Sequence, residues 1–463
     1  MPKDNSKYIR MTTEPVTKLI CSLAVPTIIS MLVTALYNIA DTYFVGQVGT
    51  EATAGVGLVF PVMAIIQAFG FFFGQGSGNY ISRSLGARDY DKAEYMAATG
   101  CFCALLFGCL IMALGLAFRD SVLHVLGARE GLVSDKTIAY AADYMTIILC
   151  GAPFMCVSFV FNNQLRFQGN AVFAMIGLVT GAVLNVGLDP IFIFGLHMEV
   201  KGAALATAVS QLVSCTMLYI GTLRSDSLKI RLRNFRPTLY YLKNIAVGGL
   251  PSLFRQGLAS LSTLSLNAAA GAAVAVNQAD AAIAAFSVVT KIMMFAFSAL
   301  LGFGQAFQPV CGFNYGARLY DRVLKAFWFC VRWATIFLAV AGIVIFWQAP
   351  QIIAIFRDDP EVVAFGTVAM RAQCCTFFLC GFNMIASMMT QTINKVRQAS
   401  ILAVARQGVF FIPAVLILPH FLGPLGIQLA QSISDVCALL LTIPLAGGVL
   451  REMSAQQKVM EKS

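Results

Sequence analysis

Three carboxylates stand where a chain of this composition leaves little room for water. Of the 22 Asp and Glu residues in the 463-residue sequence, Asp41, Asp189 and Asp435 fall well within long apolar stretches. A charge at the centre of a membrane-spanning helix costs about 2.5–3.5 kcal/mol on insertion scales, so each of these needs a compensating proton, ion or partner. Asp41 closes the segment Tyr37-Asn38-Ile39-Ala40-Asp41, which puts Asn38 and Asp41 on one helical face. Asn185 and Asp189 are four apart and stack in the same way, and Pro190 lacks the backbone N–H that would satisfy a carbonyl one turn earlier. Two carboxylates with amide and hydroxyl oxygens make a hard-oxygen environment, suited to a proton or a small alkali cation rather than a transition metal.

Other reactive side chains do not assemble. His124, His197 and His420 fall near the ends of apolar stretches. The 13 cysteines lie mostly inside those stretches (Cys101, Cys103, Cys109, Cys374, Cys375), without a CxxC pair or a neighbouring histidine, and read as packing. With no nucleophile, zinc or acid–base constellation, neither an enzyme nor a cofactor is expected.

The elements that hold the carboxylates follow from composition. At 58% hydrophobic and 12% charged, the chain has more apolar surface than a water-soluble domain can hide, and the bilayer is its solvent. Windows of roughly 20 apolar residues predict about twelve helical spans, centred near residues 30, 65, 105, 149, 182, 212, 255, 291, 336, 374, 408 and 436. The net charge of +10 lies in short gaps between spans rather than on one face, so it marks topology and not nucleic-acid binding. Connections near 86, 168, 232, 318 and 395, with both tails, hold about two dozen Lys and Arg against about five opposite, which predicts cytoplasmic termini. The polar start (Lys3, Asp4, Lys7, Arg10) leads into a span too long for a signal core.

The chain also repeats. Phe73-Gly74-Gln75 and Gly86-Ala87-Arg88 return as Phe303-Gly304-Gln305 and Gly316-Ala317-Arg318, each followed by Tyr-Asp and a basic residue. Pro26 matches Pro251, and Gly202-Ala203-Ala204-Leu205-Ala206 matches Gly426-Ile427-Gln428-Leu429-Ala430. An even number of spans per half makes the repeats parallel, related by a pseudo-two-fold axis along the membrane normal. We therefore expect an all-α membrane protein of two six-helix lobes, 1–223 and 244–463, joined by a basic cytoplasmic linker, 224–243. The Gly-Ala-Arg turns read as helix stops in which glycine takes the unusual backbone conformation.

The lobes differ in chemistry. Where the first carries its acidic pair, the second offers Arg255 and Gln256 in span seven and Lys291 in span eight, so cation coupling is expected in the first lobe alone. Tyr37, Asn38, Asn163, Arg255, Gln256 and Lys291 are candidates for a substrate cavity or a polar network. Arg255, Lys291, Arg371, Gln373 and Asp435 form the expected network of the second lobe.

Taken together, Pro26, the stretch 38–46 with Asp41, the loop 82–93, Leu165-Arg166 with Gln168-Gly169-Asn170, and Asn185 with Asp189 resemble the multidrug and toxic compound extrusion (MATE) family. Residues 73–91 and 251–257 look like its MepA-like bacterial branch. The resemblance implies a multi-pass protein of the bacterial cytoplasmic membrane that exports amphipathic, often cationic small molecules in exchange for inward Na⁺ or H⁺ by alternating access. It implies a coupling site at Asp41, Asn185, Asp189 and Thr207, with Na⁺ held there as an alternative to a proton. The chain is expected to work as a monomer whose partners are the bilayer and its substrates. The nearest alternative is a flippase of a lipid-linked precursor, which a cationic cavity at Arg255 and Lys291 would suit.

Overall fold

A backbone in hydrocarbon must satisfy its own hydrogen bonds, and within a single segment only a helix does so. The structure is a computed structural model that describes residues 5–129, 133–224, 228–273, 279–356 and 359–461, and every regular element among them is helical. The first half runs α1 (Asn5–Thr13), α2 (Val16–Val48), α3 (Thr50–Gly86), α4 (Tyr90–Ala117), α5 (Arg119–Val125), α6 (Asp135–Phe167), α7 (Ala171–Pro190) and α8 (Glu199–Arg224). The second runs α9 (Leu239–Ala273), α10 (Ala279–Gly316), α11 (Tyr320–Phe356), α12 (Pro360–Phe377), α13 (Leu379–Thr392), α14 (Val396–Val404), α15 (Ile412–Leu422) and α16 (Pro424–Met460).

A helix passes through each of the twelve expected centres. Among the described residues ten helices are long and apolar enough to cross a membrane, and α12 with α13, bent by 56° at their junction, makes an eleventh. The 35-residue α9, which carries Arg255 and Gln256, is long enough but does not pass on apolarity. Large side chains such as Trp347 (72% exposed) and Phe421 (80%) point away from the protein, an arrangement stable only against lipid.

The helix stops correct one expectation. Gly86 is still helical, and the left-handed residue of the first Gly-Ala-Arg turn is Arg88 (φ 60°), matched by Arg318 (φ 61°) in the second. Asp89 N–H bonds the Ser84 carbonyl at 2.8 Å and Arg88 N–H that of Leu85 at 3.1 Å, the paired bonds of a Schellman turn. The pattern recurs at Leu319 to Asn314 (2.8 Å), Asn170 to Leu165 (2.9 Å) and Lys395 to Thr390 (2.9 Å), with Gly169 and Asn394 as the left-handed residues of the last two. Two lost carbonyl partners recovered per turn offset the steric cost of a side chain there, so arginine is tolerated. The side chains of these turns hold neighbouring elements and their own caps: the Arg88 guanidinium stacks on Tyr8 of α1 at 4.2 Å, Asp89 caps α4 and pairs with Lys92 (2.6 Å), and Asp321 pairs with Lys325 one turn on (2.6 Å).

By packing, the chain divides into two units, Met1–Arg10 with Ile29–Leu253, and Met11–Ile28 with Phe254–Ser463. In the first unit α6 is the central helix, packed on α3, α4, α7 and α8. The linker closes onto this unit: the Arg236 guanidinium stacks on Tyr95 at 4.0 Å, the Arg236 backbone N–H donates to Thr99 Oγ1 at 3.1 Å, and Tyr240 and Tyr80 share a hydroxyl hydrogen bond of 3.0 Å. In the second unit α16 packs on α11, α12, α13 and α15, and Asn314 donates to the Met11 carbonyl (3.1 Å). Span five of each half widens into a π turn, at Ile191–Gly195 directly after Pro190 and at Ala405–Phe411 between α14 and α15.

Candidate functional site

Within the first unit, α2, α6, α7 and α8 bring polar side chains to one buried place. The Asn185 and Asp189 spacing puts both on the face of α7 that packs on α8, and both are buried, Asp189 completely. Asn185 Nδ2 reaches Thr207 Oγ1 of α8 at 3.4 Å. From α2, Asp41 lies close enough to act electrostatically on Asp189, and Tyr37 on the same helix face feels both. Asn38 is half-buried and returns its amide to the Thr34 carbonyl at 2.9 Å.

What distinguishes the site is the set of acceptors left over. Among the described residues, Asp41 Oδ1, Asn185 Oδ1 and both carboxylate oxygens of Asp189 are sealed from solvent and have no donor, and the Ser210 hydroxyl on α8 is unpartnered as well. A buried acceptor without a donor costs about 1–3 kcal/mol, and more when charged. Among the described residues neither carboxylate is paired with a lysine or arginine. Several oxygens converging without a donor fit a proton or an oxygen-seeking monovalent cation.

Tyr144 of α6 completes the wall, and sequence reasoning misses it. Its ring is fully buried, its hydroxyl donates to Met63 Sδ at 3.6 Å and lies by Thr207, and it is near enough to feel both aspartates. A lone tyrosine in an apolar stretch gives no signal by itself, and only folding brings its hydroxyl to Thr207.

The cavity candidates scatter. Asn163 is completely buried in the α3–α6 packing, where its Oδ1 accepts from Gln75 (3.0 Å) and Arg166 (2.6 Å), so of its two expected places it sits in a polar network, inside the first unit. Arg255 and Gln256 belong to the second unit and are half-buried on α9. Lys291 is exposed on α10. The expected second-lobe network is also corrected. Arg371 donates to the Phe346 carbonyl at 3.2 Å, and the partner of Asp435 is Arg406, at 2.7 Å from Nε to Oδ1. Gln431 adds a second donor to Oδ1 at 3.0 Å, and Thr376 one to Oδ2 at 3.4 Å. Arg406 was legible as a lone basic residue inside the apolar window of span eleven.

Comparison with known proteins agrees over the length of the chain. The family model described as MatE matches residues 26–191 and again 251–417, one match per half. The multidrug export protein MepA of Staphylococcus haemolyticus is 29% identical over 429 residues, covering 91% of this chain and 92% of that protein. Among solved structures, an outward-facing multidrug resistance MATE family transporter of the MOP superfamily is 30% identical with a TM-score of 0.90, over 98% of this chain and 100% of that one. A MOP superfamily transporter from Pyrococcus furiosus, for which a binding pocket of reversed polarity and a different function are described, is 29% identical with a TM-score of 0.89, over 97% of this chain and 99% of that one.

Proposed function

The chain belongs to the MatE family, and from that premise we propose that it is a multidrug exporter of the bacterial cytoplasmic membrane, driven by inward movement of Na⁺ or H⁺ through Asp41, Asn185, Asp189 and Thr207. The observation that carries this reading is the group of donorless acceptors at Asp41, Asn185 and Asp189. Cation entry from outside neutralises them and favours substrate release; substrate binding from the cytoplasm favours loss of the cation. Linkage requires only that the two ligands prefer opposite states. The proposed working lobes are 1–223 and 244–463, joined by 224–243, with both termini cytoplasmic and rocking about a central path. Substrates are amphipathic, often cationic small molecules, and the chain works as a monomer without a cofactor.

The test is export in proteoliposomes with sodium and pH gradients imposed separately. Asp41→Asn and Asp189→Asn are each expected to abolish the response to the driving gradient while substrate still binds; undiminished gradient-driven export in both removes the assignment. A flippase reading would draw on the half-buried Arg255. Tighter binding of an anionic lipid head group than of an organic cation would favour it.

A further inference from the structure

The two halves solve the same problem in different ways. With Gly169 set on Asn394 as the left-handed stop before span five, and Gly202 on Gly426 at the start of span six, Gly181 falls on Arg406, Thr207 on Gln431, Ser210 on Ser434 and Gln211 on Asp435. The geometry follows this register. A Cβ on Gly181 would stand 3.2 Å from the Ser210 carbonyl oxygen, and in the second unit the Ser434 hydroxyl donates to the Arg406 carbonyl. In both units, then, the seam between spans five and six holds a buried carboxylate beside a π turn.

In the first unit that seam has, among the described residues, acceptors without donors. In the second it has its own cation. Both oxygens of Asp435 are partnered, and the Arg406 guanidinium, stacked on Phe297 at 5.1 Å, supplies the charge. A carboxylate only 2% exposed in a lipid-surrounded lobe needs a positive charge or a proton, and the source of that charge is what differs between the halves.

We propose that the second lobe contains a latent monovalent-cation site, built by Asp435, Gln431 and Thr376, in which the side chain of Arg406 takes the place of a mobile ion. Arg406 makes that lobe permanently loaded, so its carboxylate exchanges nothing during transport. Removing the guanidinium turns Asp435 into a working acceptor for Na⁺ or a proton; the titratable groups that face it are Arg406 itself and the buried thiol of Cys380. The comparison rests on the reading of the first-lobe site given above, but its test does not.

The experiment counts bound cations on the purified full-length protein, as sodium-22 retained plus protons released on titration. Arg406→Ala is expected to hold one cation more than Arg406→Ala combined with Asp435→Asn. Equal counts in those two variants overturn the proposal. Because Arg406→Ala leaves a buried charge and risks misfolding, a second arm replaces the pair by neutral amides of similar size, Arg406→Gln with Asp435→Asn. This variant is expected to match the wild-type cation count and the wild-type ion dependence of export; loss of a cation from it would mean that Asp435 carries a mobile ion in the native protein, and the proposal falls. Asp41→Asn with Asp189→Asn is run alongside. Retention of the wild-type cation there defeats only the first-lobe reading, since the second-lobe result is a difference between variants that both keep the first site.

Discussion

At the scale of the residue, the same amino acid has opposite standing in the two halves. Asp435 is a partnered structural carboxylate, whereas both oxygens of Asp189 lack donors among the described residues. An isolated buried acceptor is a liability to folding that its ligand relieves. Asp189→Asn is therefore expected to stabilise the protein by about 1–3 kcal/mol in sodium-free buffer alkaline enough to keep the carboxylate ionised; thermal unfolding at that pH in choline chloride against sodium chloride measures this, and a lower melting temperature in both would contradict it. Arg318 offers a second test. Its left-handed backbone (φ 61°) carries a steric cost of about 1–2 kcal/mol that glycine avoids, so Arg318→Gly is expected to raise the melting temperature without altering export.

At the scale of the element, close approach of spans five and six sets the seam. A Cβ on Gly202 would lie 2.7 Å from the Phe192 carbonyl carbon, and one on Gly426 2.5 Å from that of Leu418, backbone atoms that cannot step aside. Gly202→Val and Gly426→Val are each expected to destabilise by about 1–3 kcal/mol through overpacking, and the first, on the helix that carries Thr207, to weaken cation binding as well. Thermal unfolding together with sodium-22 binding separates the two effects. At the start of α4, hydrogen bonding from Lys92 holds the Asp89 carboxyl below the usual carboxylate range. A depressed folded value means the stabilisation is present above the unfolded pKa, about 3.9, and is lost as pH falls through the folded one. Acidification from pH 7 to 5 leaves this cap intact. Asp89→Ala, by contrast, is expected to cost about 0.5–2 kcal/mol at neutral pH, read from the melting temperature.

At the scale of the whole molecule, the proposed single mobile cation site per chain would limit the energy available to export. An inward monovalent cation gains about 2.3 kcal/mol per 100 mV and about 1.4 kcal/mol per tenfold concentration difference. Exchange for a singly charged substrate moves no net charge, so the electrical part cancels. Accumulation of a monocation is then expected to follow the cation gradient and to ignore a clamped membrane potential, whereas a neutral substrate responds to both. Potential-dependent export of the monocation would require a second mobile cation.

Much of this was legible in the chain itself. Apolar windows located the helices because lipid admits no other local backbone, and i, i+4 spacing paired Asn185 with Asp189 because helical geometry is local. Repeated tripeptides announced two halves for the same reason. What the chain alone did not reveal were contacts between residues far apart along it: Tyr144 with Thr207, the sealing of Asn163 against Gln75 and Arg166, and the choice of Arg406 over Lys291 or Arg371 as partner of Asp435. An isolated helix presents all its faces equally, and only packing against its neighbours determines which buried charge meets a counter-charge and which does not.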